Sequence, residues 1–267
     1  MTTANRLVHC VGTLARLATA WGRPGPDFLI IGAQKCRTSS LYRYLLRHPN
    51  VAPANKQSIR FFDPGPNWAK GPVWYCSHFS FAPGRRIPAG RPLVGDSTPA
   101  YLFYPLGAAG VQQVAPHARL IVLLRNSVDR AYSHYHHMRR RGREPLPFEE
   151  VLAQEPERLA ADRERLLEDP GPDPVHLRWH SYLTRGQYVE QLEAWLSREL
   201  AGEPAEVMAG THAFLGLPPL PLTDYPRFNT GAYEPLEPRL REPVATHFVP
   251  HNRRLTDLLG RRPGWDA

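Results

Sequence analysis

The chain has 267 residues, of which 42% are hydrophobic, and it carries a formal net charge of +8. This size and composition suffice for one sizeable α/β core, and the charge suits an anionic ligand. Three cysteines, Cys10, Cys36 and Cys76, are too few and too scattered for a disulfide framework or a metal cluster, and their odd number indicates a reducing compartment. We therefore expect one cytoplasmic domain that holds no metal.

The first 26 residues are expected to form an N-terminal extension with a short helix, followed by the main domain over residues 27–267. No apolar run reaches the roughly 20 residues needed to span a bilayer. Residues 7–21 are interrupted by His9 and Arg16, so a signal peptide that ends near Ala20 is the weaker alternative to a short amphipathic helix or a frayed terminus.

An apolar run followed by a turn is the most informative part of the chain. Phe28–Gly32 has the length of a buried parallel strand, and the residues from Thr38 onward have helix-like spacing. Such a turn aims backbone N–H groups and a helix N-terminus at one point, where Lys35 adds a full charge. The pattern predicts an anion site; an ordinary strand–helix junction with a surface lysine is the alternative.

This turn differs from the phosphate loop of ATP-binding proteins. The pattern GxxxxGK[ST] needs a second glycine followed by lysine, whereas Arg37 occupies the middle of this turn and its lysine comes early. ATP chemistry is therefore disfavoured.

A second apolar run, Leu120–Leu124, ends in Arg125 and precedes a helix expected to start near Val128. Parallel strands present their carboxyl ends at one edge of a sheet, so Lys35 and Arg125 are expected along the same rim. Arginine suits a phosphate because its planar fork donates two charge-assisted hydrogen bonds. An ion pair of Arg125 with Asp129 or Asp96 is the alternative.

Other segments carry weaker signals. Residues 64–92 are rich in proline and glycine and are predicted to be mostly loop. Residues 139–178 are interpreted as a charged helical insertion or lid that contains a helix over 147–168. The alternative is that this helix is an ordinary solvated one. Helix-like spacing also covers Arg178–Leu196 and Asn252–Leu259. The basic run Arg139–Arg143 has no recognition-motif spacing or aromatic platform, so nucleic-acid binding is not expected.

Taken together, the motifs resemble the sulfotransferases that use 3′-phosphoadenosine 5′-phosphosulfate (PAPS), in the branch related to heparan-type carbohydrate sulfotransferases. Residues 32–41 are similar to that family's 5′-phosphosulfate loop. Further similar segments follow in order along the chain: Ile59–Asp63, Gly95–Tyr101, Leu123–His134, Arg185–Tyr188, Phe214–Leu217, Phe228–Gly231 and Gly264–Asp266. Several motifs in the right order are more specific than any one of them.

The resemblance implies a single P-loop NTPase-like α/β domain with a central parallel sheet flanked by helices. It implies transfer of a sulfuryl group from PAPS to a hydroxyl of a carbohydrate, glycolipid or secondary metabolite, with Lys35 at the 5′-phosphate and Arg125 and Ser133 at the 3′-phosphate. The implied cofactor-binding residues are Gln34, Lys35, Cys36, Arg37, Thr38, Ser39, Ser40, Arg125, Ser133, Asn229 and Gly231.

The chain also departs from that family. Ser58 and Arg60 replace the family's glutamate and histidine, which leaves Asp63 and Asp96 as candidate bases beside catalytic Lys35; either aspartate could instead cap a turn or pair with a cation. A strand that relatives place near Leu200 and Ala201 is expected to be missing. A degenerate homologue that binds nucleotide or acceptor with little turnover is therefore the alternative function.

Arg37 occupies a position where the family has glycine. If that position needs a positive φ, arginine costs about 1–2 kcal/mol and crowds the ligand. If it does not, Arg37 is an additional anion contact. The segments that would choose the acceptor are 64–92 and 139–178.

Overall fold

The computed structural model describes residues 15–23, 25–80, 91–169, 173–195, 204–222, 224–226, 228 and 231–265. Within them, four parallel strands form one sheet in the order β2-β3-β1-β4. The strands are β1 (Phe28–Gly32), β2 (Val51–Ala52), β3 (Leu93–Ser97) and β4 (Arg119–Val122). The predicted α/β class with a central parallel sheet is confirmed.

Strand β1 is buried on both faces, which explains its uninterrupted apolar sequence. Its side chains alternate between two clusters, with Leu29 and Ile31 on one face and Phe28 and Ile30 on the other. Phe28 lies opposite Gly95 of β3, where an added Cβ would collide with the Phe28 ring. The core of the molecule therefore lies on both faces of this central strand.

Helices cover the two faces of the sheet. They are α1 (Thr38–Leu45), α2 (Gly71–Cys76), α3 (Pro105–Val114), α4 (Ser127–Arg140), α5 (Phe148–Glu168), α6 (Val175–Trp179), α7 (Tyr188–Trp195), α8 (Pro204–Leu215) and α9 (Pro238–Leu259). Short 3₁₀ helices lie at Ala20–Gly22, Trp68–Lys70, Tyr101–Phe103 and Thr184–Gly186. No helix in the described part of the chain has the length and apolarity needed to cross a bilayer.

The sequence located the strand before the first turn correctly, and it placed the second strand within two residues of β4. The charged helix expected over 147–168 is α5, which buries Phe148 and Val151 in a third cluster with Tyr135 and Phe248. The closing helix, expected over Asn252–Leu259, begins earlier, at Pro238. Strands β2 and β3 were not predicted.

Two further expectations fall partly or wholly outside the described residues. Residues 64–92, expected to be mostly loop, contain a 3₁₀ turn and α2, and 81–90 are not described. The strand expected to be missing near Leu200 and Ala201 also lies outside the described residues, as does most of the N-terminal extension. The proposed boundaries of the extension, the domain and the insertion stay predictions.

The helix predicted over Arg178–Leu196 is confirmed over Tyr188–Trp195 and wrong before it, because the chain breaks between α6 and α7. Glu155 of α5 is only 2% exposed, and its carboxylate accepts the backbone N–H groups of Tyr182, Leu183 and Thr184 at 2.9, 2.7 and 2.9 Å. These N–H groups would otherwise bond to carbonyls four residues earlier in a helix. A long-range contact thus replaces a local one.

We predict that Glu155→Ala lowers the free energy of unfolding by about 3 kcal/mol, since it leaves one buried and two partly buried N–H groups without an acceptor. Denaturant unfolding of the variant against the wild type measures this. Glu157→Ala, on the exposed side of the same helix, is the matched control and should change stability little. Equal stabilities of the two variants would contradict the role assigned to Glu155.

Candidate anion-binding site

The turn after β1 has an unusual backbone. Lys35 and Arg37 both adopt left-handed conformations, with φ of 74° and 62°. Arg37 precedes α1, and its carbonyl accepts the first helical bonds from Ser40 N at 2.9 Å and Leu41 N at 3.2 Å. The first N–H groups of a helix have no acceptor within that helix, so this turn presents donors and the positive end of the helix dipole to the same space.

A cavity of about 450 Å³ lies over this turn, at the edge where β1 and β4 end. The turn, the segment after β4, one face of α4 and the chain after Phe228 all contribute to it. Its lining residues are Gln34, Lys35, Arg37, Thr38, Ser39, Ser40, Pro99, Arg125, Ser133, His137, Arg140, Arg141, Phe228, Gly231 and Tyr233. None of these described lining residues is acidic. Besides His137, five of them are basic: Lys35, Arg37, Arg125, Arg140 and Arg141.

Most of the predicted cofactor residues come together in this cavity, with two exceptions. Cys36 is buried behind the turn, 3.5 Å from the Tyr188 hydroxyl, and does not line the cavity. Asn229 lies outside the described residues. Gly231 lies against the Arg140 guanidinium, which would have to move aside for an added Cβ. The positions agree with the expectation that Lys35 and Arg125 share one rim.

Lys35 sits in a strongly positive and partly desolvated environment. Burial, followed by the nearby guanidiniums of Arg140, Arg125 and Arg130, lowers its pKa to about 8. Like charges held this close repel one another, and an anion between them would offset that repulsion. The arrangement is therefore built for a ligand with several negative charges.

Beside the predicted Ser133, one face of α4 and its C-terminal end supply three lining residues that the sequence interpretation missed: His137, Arg140 and Arg141. Ser133, His137, Arg140 and Arg141 follow the spacing i, i+4, i+7 and i+8, which places them on one helical stripe. Applying this periodicity to the basic run after Ser133 would have found them. Burial and the charges of Lys35, Arg141 and Arg140 lower the pKa of His137 to about 4, so its imidazole is neutral at pH 7.

Arg125 is positioned through its backbone. The Tyr188 hydroxyl donates to the Arg125 carbonyl at 2.9 Å, which connects α7 to the end of β4. The ion pair considered from the sequence is loose, with 3.9 Å between Arg125 Nη2 and Asp129 Oδ2, and Arg241 holds Asp129 more closely at 2.8 Å. Arg125 therefore lines the cavity with little competition from that carboxylate.

The two candidate bases are both engaged by other groups. Asp96 is fully buried, and its carboxylate accepts hydrogen bonds from Tyr101 at 2.6 Å and Thr98 at 2.8 Å. Burial raises its pKa to about 6. Asp63 pairs with Arg60 at 2.7 Å. Neither aspartate lines the cavity over the turn, so a catalytic role for either one stays a prediction.

This fold and site define an α/β protein with a basic cavity at the carboxyl edge of a parallel sheet. Residues 25–218 match the family model described as a sulfotransferase domain. The chain therefore belongs to the sulfotransferase family, as the motifs indicated.

Individual relatives agree with this assignment. The chain is 29% identical over 225 residues to the bifunctional heparan sulfate N-deacetylase/N-sulfotransferase 1 of Caenorhabditis briggsae, which covers 76% of this chain and 24% of that protein. It is 32% identical over 207 residues to the bifunctional heparan sulfate N-deacetylase/N-sulfotransferase 2 of Bos taurus. That match covers 73% of this chain and 22% of the bovine protein. The chain spans about a quarter of the length of these curated relatives.

A solved structure also shares the fold. The crystal structure of a sulfotransferase from Alicyclobacillus acidocaldarius superposes with a TM-score of 0.66 at 31% sequence identity, covering 89% of this chain and 97% of that one. The agreement over nearly the full length of both chains supports a single-domain sulfotransferase fold.

Arg37 meets both conditions that the sequence left open, since it has a positive φ and also lines the cavity. We predict that Arg37→Gly is more stable than Arg37→Ala by about 1 kcal/mol, because only glycine adopts this φ without strain. Both variants lose the charge, so both should bind a nucleotide with two phosphate groups, 3′-phosphoadenosine 5′-phosphate (PAP), several-fold more weakly. Thermal unfolding and calorimetric titration measure the two effects; equal stability of the variants would contradict the strain.

Proposed function

We propose that this protein transfers a sulfuryl group from PAPS to a hydroxyl or an amine of a small molecule or a glycan. The observation that carries the proposal is the cavity that joins the turn after β1, the end of β4 and the basic face of α4 without a described acidic lining residue. The N-sulfotransferase relatives support the amine as a possible acceptor. A cytoplasmic location stays a prediction.

The chemistry of the lining residues fits PAPS. That molecule carries phosphate groups at both ends of its ribose, and the cavity supplies cations from two separate segments, Lys35 after β1 and Arg125 after β4. Thr38, Ser39 and Ser133 add hydroxyl donors. When bound, PAPS supplies the sulfuryl group and a phosphate leaving group.

Lys35 is the residue best suited to stabilise charge on that leaving phosphate. Its ammonium is partly desolvated, so its interaction with a developing negative charge is stronger than in water. The α1 N-terminus directs its N–H groups to the same space.

The acceptor must also lose a proton, and we propose His137 as the group that takes it. His137 lines the cavity and is neutral at pH 7, so one ring nitrogen has a free lone pair. A base with a pKa near 4 accepts a proton only after the acceptor atom has begun to bond to sulfur and become acidic. Asp63 and Asp96 stay the alternative bases, although neither lines this cavity.

A second candidate function is a degenerate homologue that binds nucleotide with little turnover. Ser58 and Arg60 stand where the family has glutamate and histidine, and the structure commits Arg60 to an ion pair with Asp63. Ser58 donates its hydroxyl hydrogen bond to the Ser97 carbonyl at 2.9 Å. These contacts favour structural rather than catalytic roles for this segment.

We predict that PAP binds selectively over ATP and that Arg125→Ala weakens PAP binding by about 2–3 kcal/mol, near a hundredfold, through loss of charge-assisted hydrogen bonds. Calorimetric titration of the purified protein measures this, with the exposed Arg163→Ala on α5 as the control. Lys35→Ala should abolish sulfuryl transfer in an assay with PAPS and an acceptor panel.

The outcomes of these measurements separate the two functions. Selective PAP binding together with transfer that Lys35→Ala abolishes supports the enzyme. Selective binding without transfer to any acceptor favours the degenerate homologue. Unchanged PAP affinity in both Lys35→Ala and Arg125→Ala would exclude this cavity as the nucleotide site.

We also predict proton uptake when PAP binds at pH 8. Lys35 is about half protonated there, and an adjacent anion raises its pKa, so binding takes up about half a proton. The phosphates of PAP are ionised at this pH and contribute little. Titration in two buffers of different ionisation enthalpy measures the uptake. Lys35→Arg, which stays charged, is the control, and identical enthalpies for the wild type in both buffers would contradict the prediction.

A further inference from the structure

A second cavity, of about 420 Å³, lies between the segment 61–69 and helix α3. Its walls are mostly apolar and include Phe61, Phe62, Trp68, Leu106 and Ala109. Phe61 and Phe62 are buried, whereas Trp68 and Leu106 are 43% and 53% exposed. Large apolar side chains at the mouth of an apolar cavity are typical of a site that admits an apolar ligand.

Two carboxylates interrupt this apolar wall, those of Asp63 and Asp169, and only Asp63 is buried. The side chain of Asp63 is 1% exposed, and its Oδ2 accepts from Arg60 Nε at 2.7 Å. Its other oxygen, Oδ1, is buried without a hydrogen-bond partner among the described residues. A buried acceptor that has lost water and found no protein donor costs free energy, and a ligand that donates a hydrogen bond would recover it.

The charges around Asp63 decide which kind of donor fits. Three guanidiniums, those of Arg60, Arg185 and Arg178, lie close enough to act on its carboxyl group. A protonated amine would bring a fourth cation into this field, and an acid would add a second carboxylate beside Asp63. A neutral hydroxyl donates a hydrogen bond without adding charge.

We propose that this second cavity binds an apolar, ring-bearing molecule through a neutral hydroxyl that donates to Asp63. The site is separate from the anion cavity, because the two share no described lining residue. The proposal concerns binding at this cavity and does not depend on sulfuryl transfer. Its failure would therefore leave the proposed function untouched.

The test compares probes that differ only in the polar group. Calorimetric titration of the full chain uses 2-naphthalenemethanol, its methyl ether and 2-naphthalenemethanamine. The ether keeps the oxygen but has lost the donor, so the alcohol should bind at least tenfold more tightly than the ether. It should also bind more tightly than the amine. Equal binding of alcohol and ether, tighter binding of the amine, or no binding of any probe would each overturn the proposal.

Variants locate the site. Ala109 is exposed on α3 and lines the cavity, so Ala109→Trp should fill it and weaken binding of the alcohol at least tenfold. Ala245→Trp, at an exposed position of α9, is the matched control and should bind as the wild type does. Unchanged binding in Ala109→Trp would overturn the assignment of this cavity. PAP titration and thermal unfolding of both variants verify that they are folded.

Asp63→Asn tests the hydrogen bond itself. Arg60 Nε would hold the amide oxygen, which turns the amide NH₂ to the position of Oδ1 and replaces an acceptor by a donor. The preference for the alcohol over the ether should then fall to twofold or less. A preference that stays tenfold in this variant would show that Asp63 does not accept the hydroxyl. If the variant does not fold, the probe series and Ala109→Trp decide the question.

Discussion

An accumulation of positive charge at one edge of the sheet is the constraint around which this structure is organised. Lys35, Arg125 and Arg140 approach one another closely enough that burial and mutual repulsion lower the lysine pKa to about 8. No described acidic residue lines the cavity to relieve that repulsion. The protein therefore holds an unfavourable charge distribution that a multiply charged anion would stabilise, and such distributions mark functional sites more often than structural ones.

Buried hydrogen bonds hold the cationic segments in place at some distance from the site. Tyr188 bonds the Arg125 carbonyl, and Glu155 fixes the turn that delivers the chain to α7. Asp96, at the end of β3, binds the hydroxyls of Tyr101 and Thr98. Rigid support of this kind keeps like charges together, because the free energy of folding of the whole domain offsets their repulsion.

The sequence was least informative where long-range contacts overrule local preference. Helix-like spacing continues through residues 180–187, but Glu155, 27 to 29 positions earlier in the chain, accepts the N–H groups of Tyr182, Leu183 and Thr184. Strand β3 was missed because its sequence, Leu93–Ser97, contains Gly95 and Asp96, which are poor strand formers outside a buried sheet. The role of Arg140 was missed because a basic run was considered by composition and not by its helical stripe with Ser133.

The sequence by itself determined the fold class, the strand and turn that carry Lys35, and the placement of Arg125 after a second strand, since these depend on short-range pattern and on the geometry of parallel sheets. It also determined the family, through motifs in a fixed order. Only the tertiary structure decided that Arg37 has a left-handed backbone and that His137 lines the anion cavity. It also decided that Asp63 and Asp96 bond to other side chains outside that cavity. Those properties depend on which distant side chains approach a residue and on how much water they remove, and no local pattern records either.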